Sequence, residues 1–161
     1  QDQESTPYIA PKETYNIFVL GDSLAGGLMS GMMRVTQGDP ALSVNGRFKE
    51  DSGLARPEFY NWNDALPRIT ESNTVDIAII LIGLNDAQSI REGSLRHAFG
   101  TPEWATAYGE AIRQVVAHLK EKGSALYWVE LPRMRQDAYD ESMRQISAIQ
   151  AAEAKSLGIK F

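Results

Sequence analysis

Three positions in the sequence, each placed after a predicted strand, carry residue types that fit acyl transfer. Ser23 ends the segment "NIFVLGDS", Gly53 lies in the loop after a second predicted strand, and Asn85 follows the most apolar run of the chain. A serine hydroxyl can attack a carbonyl carbon. The backbone N–H groups of Ser23 and Gly53 and the side-chain amide of Asn85 are donors that can stabilise the oxygen as it becomes negative. These residues are therefore candidates for a nucleophile and its oxyanion hole.

Two aspartates adjoin these candidates and are predicted to support them. Asp22 is interpreted as a local hydrogen-bonding residue rather than a base, because it directly precedes Ser23 and points elsewhere, and Asp86 is interpreted as the neighbour that positions Asn85. Simpler interpretations stay open, because serine is a good helix N-cap, glycine shapes many turns, and Asn-Asp is common where a strand ends. No carboxylate cluster has the spacing of metal ligands, and neither a metal nor another cofactor is expected.

These side chains can act together only if the fold brings the strand ends to one place. Apolar runs and helical patterns alternate along the chain, which predicts strands and helices in alternation. The predicted strands cover residues 15–20, 42–49, 75–82 and 125–131, with one more beginning at 159–161. The predicted helices cover residues 23–35, 102–122 and 137–157, with Thr101 as an N-cap and Gly158 in a C-cap position. Residues 50–62 and 87–100 are predicted as loops or irregular structure.

This alternation predicts crossover connections and a mostly parallel sheet within a single domain over residues 15–161. In such sheets ligands bind beyond the carboxyl ends of the strands, so the three candidates should meet at one edge. Gly26, Gly27 and Gly31 weaken the first predicted helix by roughly 1 kcal/mol each relative to alanine. We expect close packing of this helix on the sheet to be the reason for them.

The composition narrows the class of substrate. The chain has 161 residues, with 16 basic and 21 acidic side chains, a formal net charge of -5 and no cysteine. Neither a nucleic-acid surface nor an anionic-membrane patch is expected from this charge, and disulfides and thiolate catalysis are excluded. The longest apolar run, residues 77–84, is too short to span a membrane. A neutral, small-molecule or glycan substrate fits these properties best.

The first fourteen residues, "QDQESTPYIAPKET", are polar and contain two prolines. They are predicted to be a flexible lead-in of the kind that remains after a signal peptide has been removed. A periplasmic or secreted location is the corresponding expectation.

Three of these motifs together carry a resemblance to a known family. The segment "GDSL" after the first strand, Gly53 after the second and "GLND" after the third resemble the first three sequence blocks of the SGNH, or GDSL-type, hydrolases. The segment "SGLARPEFYNW" is similar to a mostly uncharacterised periplasmic branch of that family. The resemblance runs from about residue 15 to the end of the chain. It implies a three-layer α/β/α sandwich with flavodoxin-like strand order 2-1-3-4-5, and metal-free ester hydrolysis or O-acyl transfer, for example on acetylated envelope polysaccharide.

The chain departs from the family pattern at the base that would activate Ser23. The family supplies it from a C-terminal D-x-x-H block, which this sequence lacks. The available histidines are His97, in a segment that could fold over the site, and His118, late in a helix and interpreted as a partly packed surface residue. We expect the last strand to be incomplete and the chain to be truncated at its C-terminus. The missing Asp and His would then come from a further segment or from a second chain.

Other side chains are weaker candidates for substrate binding. Arg133 and Arg135 follow the fourth predicted strand, on the presumed active edge, where they could hold an anionic group. Solvated surface charge is the favoured interpretation of both, and also of two further arginines, Arg91 and Arg96. The aromatic residues of "EFYNW" could line an acyl or sugar pocket, although such residues more often close a core.

Two alternatives to a self-sufficient esterase follow from the missing base. In the first, the chain is a non-catalytic glycan-binding or scaffold domain that keeps the SGNH fold without its base. In the second, it is an acyltransferase component that another subunit completes. The acyl group, the alcohol and the oligomeric state are not specified by the sequence.

Overall fold

The computed structural model describes residues 11–161, which fold into the predicted three-layer α/β/α sandwich. Of the lead-in predicted for residues 1–14, residues 1–10 lie outside the described part. Within the remainder, the Thr14 hydroxyl donates to the Pro40 carbonyl at 3.1 Å, which ties this segment to the turn before the second strand.

The sheet has the strand order implied by the family resemblance. The strands are β1 (Tyr15–Gly21), β2 (Leu42–Phe48), β3 (Ile77–Leu81), β4 (Ile90–Glu92), β5 (Leu95–His97) and β6 (Ala125–Trp128). Four of them form a parallel sheet in the order β2-β1-β3-β6, which equals 2-1-3-4 when only the strands of this sheet are counted. Lys160 pairs in parallel with Tyr127 of β6, at the position predicted for a fifth strand.

Four helices connect and cover these strands. They are α1 (Ser23–Val35), α2 (Trp62–Ser72), α3 (Pro102–Glu121) and α4 (Asp137–Leu157). Because β2 lies on one side of β1 and the later strands on the other, right-handed crossovers place α1 on one face of the sheet and α2, α3 and α4 on the opposite face. No helix within residues 11–161 combines the length and apolar character needed to cross a membrane.

The loop predicted over residues 50–62 ends one residue too late, because α2 begins at Trp62. This helix was not among the predicted ones. The side chain of Asn61 caps this helix by accepting from the backbone N–H groups of Asn63 at 3.0 Å and Asp64 at 3.3 Å. The helix also contains Pro67, a residue that usually ends helices, which hides its pattern in the sequence. Its buried positions follow helical spacing and comprise Trp62, Ala65, Leu66 and Ile69.

The segment predicted to be irregular between residues 87 and 100 contains an antiparallel hairpin. Its strands β4 and β5 pair Ile90 with His97 and Arg91 with Arg96. Ile90 is buried against the main core, whereas the other residues of the hairpin are mostly exposed. Three-residue strands with one buried position give too short an alternation to be recognised from sequence.

The glycines of α1 do not share the one role predicted for them. A side chain at Gly26 would meet the ring of Phe48 at 3.0 Å, so this glycine does permit close packing of α1 against β2. Gly27 and Gly31 have no heavy atom within 4 Å of the position that a Cβ would take. Close packing is therefore the reason for Gly26 alone.

Substitution by alanine is predicted to have opposite effects at Gly27, where there is space for a Cβ, and at Gly21, where there is none. We expect Gly27→Ala to raise the free energy of unfolding by up to about 1 kcal/mol, because it improves helix propensity at an open position. We expect Gly21→Ala to lower it by about 1–3 kcal/mol or more, because its Cβ would lie 1.8 Å from the Leu81 carbonyl oxygen at a φ of +151°. Urea denaturation of both variants measures these changes, and a destabilised Gly27→Ala variant would contradict the open position.

Candidate active site

Ser23 is the first residue of α1, and its side chain is exposed just beyond the end of β1. The N-cap of the helix is Asp22, whose Oδ1 accepts from the backbone N–H of Leu24 at 3.0 Å. The interpretation of Ser23 as a simple N-cap is therefore wrong. Its hydroxyl forms no hydrogen bond with residues 11–161 and is available to a ligand.

Asp22 also connects the first strand exit to the third. It is fully buried, and its Oδ2 accepts from the backbone N–H groups of Gly83 at 3.0 Å and Leu84 at 2.9 Å. One carboxylate thus fixes the turn before Ser23 against the "GLND" loop. This agrees with its interpretation as a hydrogen-bonding residue.

Asp86 connects the third strand exit to the second. Its fully buried carboxylate accepts from the backbone N–H groups of Ala55 at 2.9 Å and Leu54 at 3.1 Å, and from the Tyr108 hydroxyl at 2.7 Å. A Cβ at Gly53 would lie 1.9 Å from Asp86 Oδ1. Close approach of this carboxylate therefore requires glycine at position 53, a reason different from the open approach to ligand that the sequence suggested.

The hydrogen-bond donors predicted for an oxyanion hole lie on loops that these carboxylates hold together. The Asn85 amide donates to the Ser52 carbonyl at 2.9 Å, which orients it toward the Gly53 loop. Its second N–H remains available to another acceptor. The backbone N–H groups of Ser23 and Gly53 have no acceptor among residues 11–161. All three donors belong to segments at the carboxyl edge of the parallel sheet.

Several residues that support this arrangement were not identified from the sequence. Tyr108 lies in the helix predicted over residues 102–122, and its hydroxyl contacts Asp86 and receives a bond from Gln150 Nε2 at 3.3 Å. Trp62 donates to the Ser52 hydroxyl at 3.1 Å. A tyrosine or tryptophan in a buried stripe needs a partner for its polar atom, and this was the available signal.

Burial dominates the electrostatics of the two carboxylates. It raises the pKa of Asp22 and of Asp86 above the ordinary value, although the backbone N–H groups that each accepts act in the opposite direction. The charge of Asp22 raises the pKa of Asp86 further. Burial, followed by the charge of Asp86, raises the pKa of Tyr108 well above its usual value, so this phenol remains a donor.

Neither histidine is hydrogen-bonded to Ser23. His97 Nε2 lies 2.8 Å from Glu92 Oε2, within the β4–β5 hairpin. His118 Nε2 lies 3.0 Å from Thr70 Oγ1, near the C-terminal ends of α2 and α3 and so at the opposite edge of the sheet from Ser23. Among residues 11–161, no group of three or more His, Cys, Asp or Glu side chains is arranged to hold a metal ion.

The two arginines predicted to bind substrate have different surroundings. Arg133 forms a bidentate pair with Asp140, with its Nε 3.0 Å from Oδ1 and its Nη2 2.6 Å from Oδ2. Asp140 also accepts from the backbone N–H of Met134 at 2.7 Å, so this pair shapes the loop between β6 and α4. Arg135 is exposed on the same loop. Substrate binding by either arginine remains a prediction.

We predict that Asp86→Asn destabilises the protein by about 1–3 kcal/mol, because the amide nitrogen cannot accept and leaves one buried donor without a partner. Tyr108→Phe is the comparison: it leaves the two backbone donors of Asp86 paired and removes the hydroxyl's bond to Asp86 and the longer one from Gln150, so it should cost about 0.5–1.5 kcal/mol for each bond lost. Chemical denaturation measures both values. A larger loss for Tyr108→Phe would show that the phenol, rather than the carboxylate, organises these loops.

The Arg133 pair gives a second prediction. The hydrogen bonds from Arg133 and from the Met134 backbone hold the pKa of Asp140 below its ordinary value, so the stability they add is present above the unfolded pKa and is lost as the pH falls through the folded one. Arg133→Ala should raise the pKa of Asp140 toward the unfolded value, as measured by carbon-detected NMR titration. Arg135→Ala should leave it unchanged, and an equal response to both variants would contradict a specific pair.

Comparison with known proteins identifies the fold. Among solved structures, the acetyl xylan esterase AlAXEase is similar with a TM-score of 0.65 and 16% identity, over 91% of this chain and 75% of that one. A GDSL-like lipase from Bacteroides thetaiotaomicron VPI-5482 has a TM-score of 0.59 and 16% identity, over 96% and 71%. The psychrotrophic esterase EstA from Pseudoalteromonas sp. has a TM-score of 0.58 and 14% identity, over 90% and 74%.

The sequence comparisons place the chain in a family. No curated protein matches the sequence. Residues 16–161 match the family described as "Protein of unknown function (DUF459)". The match covers all of the sheet except the first residue of β1. The chain therefore belongs to the DUF459 family, and its architecture is that of the SGNH, or GDSL-type, hydrolases.

Proposed function

We propose that this protein is a serine ester hydrolase in which Ser23 is the nucleophile. The observation that carries the proposal is the exposed hydroxyl of Ser23 at the start of α1. Asp22, which precedes Ser23, accepts hydrogen bonds from the loop that carries Asn85. The same loop is tied to Gly53 by Asp86. A nucleophile and neutral donors on linked loops are the parts that ester cleavage needs.

The proposed reaction proceeds through an acyl-enzyme. Ser23 Oγ attacks the carbonyl carbon and transfers its proton to a base, while the carbonyl oxygen becomes negative and accepts from the N–H groups of Ser23 and Gly53 and from the Asn85 amide. The C–O bond to the alcohol then breaks, and the protonated base returns a proton to the alcohol. Water, activated by the same base, releases the acid and restores Ser23. An acceptor hydroxyl in place of water would give O-acyl transfer.

We propose that the base is a histidine from outside these 161 residues. His97 and His118 contact Glu92 and Thr70, and neither forms a hydrogen bond with Ser23. The pairing of Lys160 with Tyr127 puts the chain beside the last strand of the sheet, where a following loop would return to the same edge as Ser23. A second chain that carries the histidine is the other source.

The solved structures with this fold include proteins named as acetyl xylan esterase, esterase and GDSL-like lipase. By analogy we propose a small-molecule or glycan ester as substrate, with acetyl groups of an envelope polysaccharide as the leading example. A periplasmic or secreted location is part of this proposal.

A non-catalytic role is the second candidate, and the lack of a hydrogen bond between Ser23 and either histidine within residues 11–161 favours it. A domain with the same linked loops but no base would bind an ester without cleaving it. Binding of an acetylated glycan that is unaffected by Ser23→Ala, in a full-length protein without esterase activity, would support this alternative.

We predict that the full-length gene product hydrolyses p-nitrophenyl acetate and is labelled at Ser23 by a fluorophosphonate. Ser23→Ala should abolish both, and Asn85→Ala should lower kcat by about 10²–10³, as expected for the loss of one oxyanion donor. Ser30→Ala is the matched control, because Ser30 is an exposed serine of the same helix whose hydroxyl donates to the Gly26 carbonyl. Mass spectrometry locates the label, and equal rates for Ser23→Ala and wild type would remove Ser23 from the mechanism.

The 161-residue chain tests the source of the base. We expect it to have little activity alone and to gain activity when the downstream segment or a histidine-bearing partner is present. A robust Ser23-dependent rate from this chain alone would show that a base within it is sufficient.

A further inference from the structure

A groove that contains Gly53 extends from the candidate active site between α2, α3 and the β4–β5 hairpin. We call it the α2–α3 groove and define it by six of its lining residues: Gly53, Tyr60, Asp64, Arg91, Glu110 and Gln114. Its volume is about 310 Å³, near the lower end of the range for small-molecule sites. A substrate whose ester carbonyl accepts from the Gly53 N–H would therefore place another part of the same molecule inside this groove.

The groove offers a fixed aromatic surface. Tyr60 is half-buried, and its ring packs edge-on against Trp62 at a centroid distance of 5.1 Å and an angle of 72°. Trp62 is itself buried and anchored to Ser52. Such a ring keeps its orientation before a ligand binds and can cover the C–H face of a sugar ring.

The rim consists of planar polar side chains that are connected across the two helices. Asn63 on α2 donates to Gln114 on α3 at 3.0 Å, and Gln114 donates to Glu110 at 3.3 Å. Asp64 accepts from Asn61 at 2.9 Å through one oxygen. Amides and carboxylates have more than one donor or acceptor site each, so this rim can also bind the hydroxyl groups of a ligand.

The charged and polar lining of the groove disfavours both polyanions and long acyl chains. Three carboxylates among the described residues line it; Glu110 lies 3.1 Å from the cationic Arg113, and Glu92 Oε2 lies 2.8 Å from His97 Nε2. Among residues 11–161, Arg91 is the single basic residue that lines the groove. A polyanion would meet three carboxylates there, and an acyl chain would bury polar side chains without partners.

From these features we propose that the α2–α3 groove binds a neutral sugar chain, as the carbohydrate part of the ester cleaved at Ser23. The substrate assignment rests on the proposed function. Binding of the sugar chain itself does not need hydrolysis. Tyr60 would stack on a ring, and the rim would select hydroxyl groups over charge or hydrocarbon.

The test measures binding to Ser23→Ala, so that turnover plays no part. Saturation-transfer NMR is recorded with cellotetraose, maltotetraose and xylotetraose as neutral chains, with tetragalacturonate as an anionic chain and with octanoate as an acyl chain. We expect at least one neutral chain to bind and both charged probes to fail. Binding of tetragalacturonate or octanoate in the groove, or binding of none of the neutral chains, would overturn the proposal.

Two substitutions locate the binding. Tyr60→Ala in this background should weaken it by about tenfold, and Gln114→Ala by about two- to tenfold, the equivalent of one lost hydrogen bond. Gln145→Ala is the matched control, because Gln145 is also exposed and donates to a glutamate one turn earlier, Glu141 at 3.2 Å, but on α4. Equal effects of Gln114→Ala and Gln145→Ala would overturn the location even if Tyr60→Ala fails to fold.

The two proposals fail in different ways. Loss of esterase activity in every assay, with neutral chains still bound in the groove, would remove the proposed function and keep the binding site. Hydrolysis of p-nitrophenyl acetate by wild type without any binding of the neutral chains would remove the proposed binding site and keep the proposed function.

Discussion

The arrangement of the site depends on two buried carboxylates that accept backbone N–H groups from loops other than their own. Asp22 joins the turn after β1 to the loop after β3, and Asp86 joins that loop to the one after β2. A carboxylate removed from water is stable only when donors surround it, so each loop is held where its N–H groups meet the charge. Three separate strand exits thereby become one rigid unit.

This constraint also determines which residues fit at the neighbouring positions. Gly53 has no side chain because the carboxylate of Asp86 occupies the space that a Cβ would need. The N–H groups of Leu54 and Ala55 are used by Asp86, whereas that of Gly53 has no acceptor among residues 11–161. In the proposed mechanism the loop thus divides its donors between structure and substrate.

The sequence predicted the parts of this protein that follow local rules. The parallel sheet, the bounds of α4 and the position of Gly158 in a left-handed C-cap all follow from apolar periodicity and glycine chemistry. The sequence did not predict α2, because Pro67 interrupts its pattern and Asn61 caps it from a segment that looks like a loop. A buried tyrosine signals that its hydroxyl has a partner, but which distant residue it is, as Asp86 is for Tyr108, could be found only from the structure.

The proposed nucleophile and donors are positioned without any contribution from a base. Ser23 is placed by a helix start that Asp22 caps, and Asn85 and Gly53 are placed by Asp86 together with the Ser52 carbonyl. Since none of these contacts involves a histidine, removing the base would leave the geometry intact. Under the proposed function, recognition of an ester and its cleavage are therefore separable in this fold, and the same scaffold would serve as a binding protein or an enzyme according to whether a histidine reaches Ser23.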